Sequence, residues 1–243
     1  MTRVGFLYPG YGAEDDYPRA EARLGGDVRL HLVHTSVGED AHRVDALLDL
    51  GAPERLAAGA EELRDEADAV VWACTSGSFV FGWDGAYEQV RGLAKLLGVP
   101  ASSTSFAFVH AAKALGVRRV AVAATYPDDV SSKFVDFLQR GGVEVTSLSS
   151  NGVPTAADAG ALGREQVLAL AAAGDRPEAD ALLVPDTALH SIAWLDELES
   201  RVGKPVLTAN QVSIWEGLRL AGELRTWTEM GALFRLANAE GRA

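Results

Sequence analysis

The sequence is poor in sulfur, in aromatic rings and in positive charge. Its 243 residues include one cysteine, two methionines and 7% aromatic residues. A single cysteine excludes an internal disulfide framework. Lys and Arg number 22 against 34 Asp and Glu, a formal net charge of −12. That balance argues against a nucleic-acid partner, because phosphate binding needs clustered cations. The acids are spread over helix-like stretches such as 61–66, as on a solvated surface. No window reaches the ~18 uninterrupted apolar residues of a membrane span, and the N-terminal residues hold no signal-peptide apolar stretch. No membrane partner and a reducing cytoplasmic setting are therefore expected.

Several motifs are also missing. Gly10-Tyr11-Gly12 is followed by Asp15 where a dinucleotide fingerprint needs glycine. There is no Walker A lysine loop and no Gly-x-Ser-x-Gly elbow. His31 and His34 fall on opposite faces of a predicted strand, poor geometry for a metal, and no metal site is expected.

What the sequence does contain is a core. Hydrophobic residues make up 48% of the chain, enough to fold without staples. Short Val- and Leu-rich runs predict strands over 4–8, 28–34, 69–73, 119–124, 144–148, 181–184 and 205–208. They mostly do not alternate, as expected for parallel strands buried on both faces. Helical patterns occupy 53–64, 87–97, 106–115, 131–140, 163–173, 192–202 and 212–221. Strand–helix alternation of this kind is the mark of a parallel α/β fold.

The two halves echo each other. Val4-Gly5-Phe6-Leu7-Tyr8-Pro9 matches the stretch from Val120 to Pro127, Gly26-Asp27-Val28 matches Gly142-Val143-Glu144, and Ala67-Asp68-Ala69 matches Ala179-Asp180-Ala181. Three ordered matches at nearly one spacing suggest duplicated lobes. The expected architecture is α/β with two pseudo-symmetric lobes, each a mostly parallel sheet flanked by helices, and an active-site cleft between them. Residues 1–99 with 207–243 would form the first lobe and 100–206 the second. Ligands bind beyond the carboxyl ends of parallel strands. Cys74 and Asp186, which end equivalent strands, would then approach one substrate from opposite sides.

Cys74 precedes the small polar turn Thr75-Ser76-Gly77-Ser78, whose free N–H groups suit an anion and would lower the thiol pKa. The alternative is a buried cysteine acting as a small hydrophobe. Asp186 is read either as a general acid or base or as a cap for the following segment. Tyr8 and Tyr126 end equivalent strands, and a phenol there can donate to a carboxylate or pack in the core. Asn210 reads as a ligand donor or a helix cap, and His190 as a structural histidine.

The runs Cys74-Thr75-Ser76-Gly77-Ser78-Phe79-Val80, Ala114-Leu115-Gly116-Val117-Arg118-Arg119-Val120-Ala121 and Gly203-Lys204-Pro205-Val206-Leu207-Thr208-Ala209-Asn210-Gln211 resemble the aspartate/glutamate racemase superfamily, in its maleate cis-trans isomerase and arylmalonate decarboxylase branch. The resemblance covers roughly residues 3 to 222. It implies cofactor-free chemistry on a small dicarboxylate, with Thr75, Ser76 and Tyr126 binding carboxylate oxygens. Tyr8, Thr187 and Asn210 join them as expected substrate-binding residues. Two departures stand out. Asp186 holds the place of the second-lobe cysteine, and Gly12 stands where the branch tends to have asparagine.

The leading expectation is a maleate-type isomerase in which Cys74 adds to a cis double bond and Asp186 replaces the second thiol. One alternative is decarboxylation of a substituted malonate with Cys74 as proton donor. A second is a non-catalytic carboxylate-binding protein. Whether copies of the chain form a homo-oligomer is left open.

Overall fold

The computed structural model describes residues 1–10 and 12–236. The elements run β1 (Thr2–Tyr8), α1 (Asp16–Arg23), β2 (Val28–His34), α2 (Val44–Leu50), α3 (Pro53–Ala60), β3 (Ala69–Trp72), α4 (Ser76–Phe79), α5 (Gly82–Leu97), β4 (Ala101–Ser103) and α6 (Thr104–Ala114). They continue as β5 (Arg119–Ala124), α7 (Asp128–Arg140), β6 (Glu144–Ser150), α8 (Ala156–Gly160), α9 (Arg164–Gly174), β7 (Ala181–Val184), α10 (Leu195–Val202), β8 (Val206–Thr208), α11 (Ala209–Leu220) and α12 (Gly231–Arg235). Among the described residues no helix is long and apolar enough to cross a membrane.

The strands form two four-stranded sheets, ordered β2-β1-β3-β4 and β6-β5-β7-β8, with every pairing parallel. The orders are the same, so the duplication read from sequence is a duplication of topology. The central strands are built for burial on both faces: every residue of β3 (AVVW) and of β7 (ALLV) is buried. The outer strand β6 carries Ser and Thr and is only partly buried.

β4 was not foreseen. Its three residues, Ala-Ser-Ser, have no apolar run, yet they hydrogen-bond to β3. The expected lobe boundary fell just ahead of it. β8 pairs with β7 in the second sheet, and the other expected boundary falls inside it, between residues 206 and 207. Helix starts also lie earlier than the apolar period suggests, at Thr104, Asp128 and Ala209. Their first turns are polar because they carry the caps. The Ser103 hydroxyl accepts from Phe106 N, and Thr208 forms a reciprocal capping box with Gln211.

After β8 the chain crosses back, and α11 packs on the first sheet beside α6. Gly217 makes this contact close: a Cβ there would lie 2.3 Å from Val4 Cγ1 and 3.4 Å from Val71 Cγ2. Both valines are fully buried. We expect Gly217→Ala to destabilise the fold by about 1–3 kcal/mol through overpacking, read as a lower midpoint in thermal unfolding. An unchanged midpoint would mean that α11 is not seated this tightly.

Candidate active site

In both sheets the first strand pairs on either side with the second and the third, so chain direction across the sheet reverses between β1 and β3 and between β5 and β7. Such a reversal opens a crevice at the carboxyl ends of the two strands. In the first lobe those ends deliver Tyr8 and Cys74, and in the second Thr125, Tyr126 and Asp186. The crevices face each other. Cys74, Ser76 and Tyr8 line one cavity together with Asp186, Thr187 and Ala188, and its free volume is about 30 Å³.

Cys74 is 3% exposed. The turn expected after it is a short helix, α4. Its Gly77 N–H donates to Cys74 Sγ at 3.3 Å, and Ser76 Oγ lies 3.8 Å from the sulfur. The foreseen N–H contacts therefore exist, but their effect is outweighed. Burial pushes the thiol up to about 11, against the lowering by Gly77 and Ser76. The expectation of a thiolate at neutral pH is corrected on this ground: desolvation exceeds what two weak donors to sulfur return.

Asp186 is 4% exposed. Its Oδ1 accepts from Ala188 N at 2.9 Å, closing a local turn, and its Oδ2 accepts from the Thr125 hydroxyl. One Asp186 oxygen thus shapes the loop, and the residue also lines the cavity.

The other expected site residues divide. The Tyr8 hydroxyl accepts from Ala13 N at 3.0 Å and donates to Thr187 O at 3.0 Å, linking the lobes. Burial carries its pKa far above the ordinary phenol range. Tyr126 donates to Pro185 O at 2.9 Å, with the Ser76 and Thr75 side chains close to its hydroxyl. Neither Tyr126, Thr75 nor Asn210 is among the cavity-lining residues. Asn210 is instead a bracket: its amide donates to Asp16 Oδ2 at 3.0 Å and to Thr187 O at 3.1 Å. His190 pairs with Asp15 at 2.7 Å, outside the cavity lining.

Gly12 has a spatial reason. A Cβ on it would lie 2.6 Å from Ala188 Cα and 2.9 Å from the Tyr8 hydroxyl. An asparagine cannot stand where the 186–189 turn of the second lobe presses against the first.

Sequence reasoning missed three parts of the site. One is Asp16, buried and held by Ser191 N, Ser191 Oγ, Ile192 N and Asn210. Another is Thr125. The third is the segment 36–43, which crosses from the first lobe to the second. There Asp40 accepts from Ala156 N and Ala157 N, and His42 N donates to Pro154 O at 2.7 Å. This strap brings His42, Asp40 and Glu39 to the cavity. It has no apolar period, and its partners lie more than a hundred residues away, so pattern reading is silent about it.

Two duplicated parallel α/β lobes, presenting a thiol and a carboxylate to one enclosed cleft, define the two-lobed class that the sequence resemblance implied. The family model described as "Arylmalonate decarboxylase" matches residues 50–234, and the chain belongs to that family. It is 33% identical over 169 residues to the arylmalonate decarboxylase of Bordetella bronchiseptica, covering 67% of this chain and 69% of that protein. It is 28% identical over 166 residues to the maleate isomerase of Nocardia farcinica, covering 65% of this chain and 66% of that protein. A liganded structure of an arylmalonate decarboxylase variant, with one glycine changed to cysteine and one cysteine to serine, superposes with a TM-score of 0.85 at 26% identity. That match spans 96% of this chain and 99% of the other. The relatives are thus a carboxy-lyase and an isomerase.

The raised thiol pKa predicts slow alkylation of Cys74 by iodoacetamide at pH 7, where only about one thiol in ten thousand is ionised. The labelling rate should climb about tenfold per pH unit toward pH 10. Fast labelling that is flat above pH 7 would show that the sulfur is not held protonated.

Proposed function

We propose that the chain decarboxylates a small substituted malonate, passing through an enediolate that Cys74 protonates. The observation that carries this reading is Cys74 buried on the wall of a cavity bounded by both lobes, where desolvation favours the neutral thiol. A sulfur held near 11 is a poor resting nucleophile but a competent acid toward a carbanion-like carbon. Membership of the arylmalonate decarboxylase family supports the same choice.

The chain's own residues supply each step. One substrate carboxylate sits against the Ser76 hydroxyl, and Tyr126 buttresses that corner through Pro185. The bond to the other carboxylate breaks, carbon dioxide leaves, and its electron pair becomes the enediolate. The carbon then takes the proton of Cys74 Sγ. The thiolate left behind keeps the N–H of Gly77 and regains a proton from solvent. The Ser76 hydroxyl acts as a preorganised donor toward the developing charge. The strap forms part of the cavity wall and limits access of solvent. About 30 Å³ holds one or two waters and no dicarboxylate, so substrate entry requires the strap to lift.

A second reading, cis-trans isomerisation of an enedioate, keeps one specific support. The thiol stands in the first lobe, where the superfamily resemblance places the isomerase nucleophile, and the Nocardia farcinica relative is a maleate isomerase.

One experiment separates them. Incubated with a 2-aryl-2-methylmalonate in D₂O, the protein should release carbon dioxide and form a 2-arylpropionate deuterated at the α-carbon and of one predominant hand. Cys74→Ser should lower kcat at least about 100-fold with unchanged thermal unfolding. Conversion of maleate to fumarate with no malonate turnover would replace this reading by the second.

A further inference from the structure

A buried side chain outside the cavity ties two of its walls together. Gln89 of α5 is 7% exposed and is not among the cavity-lining residues. Its amide Nε2 uses both hydrogens. One goes to Gly77 O at 2.9 Å and the other to Gly51 O at 2.8 Å.

Both acceptors are carbonyls that helix geometry leaves over. Gly51 follows α2, where the last carbonyls lack helical partners. α4 is a single turn, and the Phe81 N–H that would extend it onto Gly77 O turns to Ser78 O instead. Buried carbonyls need donors, and one amide serves both.

The two glycines allow the close approach. A Cβ on Gly51 would lie 2.1 Å from Gly77 O and 2.7 Å from Gln89 Nε2, so a side chain there would push the amide out. Gly51 has a φ of −89°, so the junction needs its missing side chain and not its conformational freedom. A Cβ on Gly77 would lie 3.1 Å from Cys74 Sγ and 3.0 Å from Trp72 Cζ2. α4 is therefore packed directly against the sulfur.

What the amide joins bears on the chemistry. α4 carries Ser76 and the Gly77 N–H, which lies 3.3 Å from Cys74 Sγ. α2 carries Leu47 and Leu50, which line the cavity. A four-residue helix is too short to hold its own geometry, so its position depends on what grips it from outside.

We propose that Gln89 is a positioning residue for Cys74: its amide locks α4 to α2, keeping the Gly77 N–H on the sulfur and the Ser76 hydroxyl at the cavity. This rests on the reading of Cys74 as the reacting group. The anchor acts twice in the proposed reaction. It keeps a donor on the sulfur when the proton leaves and a thiolate forms, and it fixes Ser76 toward the substrate carboxylate. Gln89 itself gives and takes no proton.

The first test needs no turnover. It reads the Gly77 amide signal in ¹H–¹⁵N spectra of the protein. In the wild type, Cys74→Ala should move that signal, because it removes the acceptor. Gln89→Met keeps the length of the side chain and removes both donors. In that background the same Cys74→Ala change should move the Gly77 signal by less than roughly half as much, the sign of a coupled pair. A full-size response in Gln89→Met overturns the proposal, whatever happens to stability. Gly51→Ala, which blocks the junction from α2, should reproduce the reduced response, and it decides the question if Gln89→Met does not fold. With a substituted malonate turned over, Gln89→Met should lower kcat about 10-fold or more while KM stays within about twofold. A lower unfolding midpoint with kcat kept also overturns the proposal. If no malonate is turned over, the reaction assignment fails, and the Gly77 response still decides the role of Gln89.

Discussion

The carbonyl of Thr187 is the point on which the cleft depends. It accepts from the Tyr8 hydroxyl of the first sheet and from the Asn210 amide of α11. The same Asn210 is held by Asp16, whose carboxylate also gathers Ser191 N, Ser191 Oγ and Ile192 N. A second-lobe loop is thereby pinned to first-lobe elements by buried polar groups that lose heavily if left unpaired. Pinning this loop places Asp186 on the wall of the cavity that Cys74 also lines. It also presses Ala188 against Gly12, which explains why that position has no side chain.

Burial then sets the chemistry. A thiol at a strand end with N–H groups around it would be acidic in water, and here burial pushes it up to about 11. The same exclusion makes Asp186 an awkward group to bury, and the structure surrounds it with Thr125, the Ala188 N–H and His42. The two sides of the cleft solve the problem differently. One keeps a neutral acid on sulfur, and the other brings a carboxylate and an imidazole together.

Much of this was legible in the sequence because duplication repeats itself in order. Cys74 and Asp186 stood out as ends of equivalent strands, and the identical orders of the two sheets justify that inference. Strands with apolar runs were found, while β4 was hidden by its Ala-Ser-Ser composition. Cys74, Ser76, Tyr8, Asp186 and Thr187 do meet at one cavity. Tyr126 and Asn210 were singled out for binding, but the Tyr126 hydroxyl and the Asn210 amide nitrogen are engaged with Pro185, Thr187 and Asp16. His42 stayed invisible for a physical reason. Its partners are Val153 and Asp186, which only the folded chain brings to it.

The central claim is that one cleft presents Cys74 and the Asp186 carboxylate to opposite faces of the same carbon. A crystal structure with a bound planar dicarboxylate that mimics the enediolate tests it most directly. The account predicts Cys74 Sγ within contact distance of one face of the central carbon and the Asp186 carboxylate over the other, with the strap 36–43 closed. A ligand bound with both groups on one face, or bound elsewhere with the cavity still closed, would contradict it.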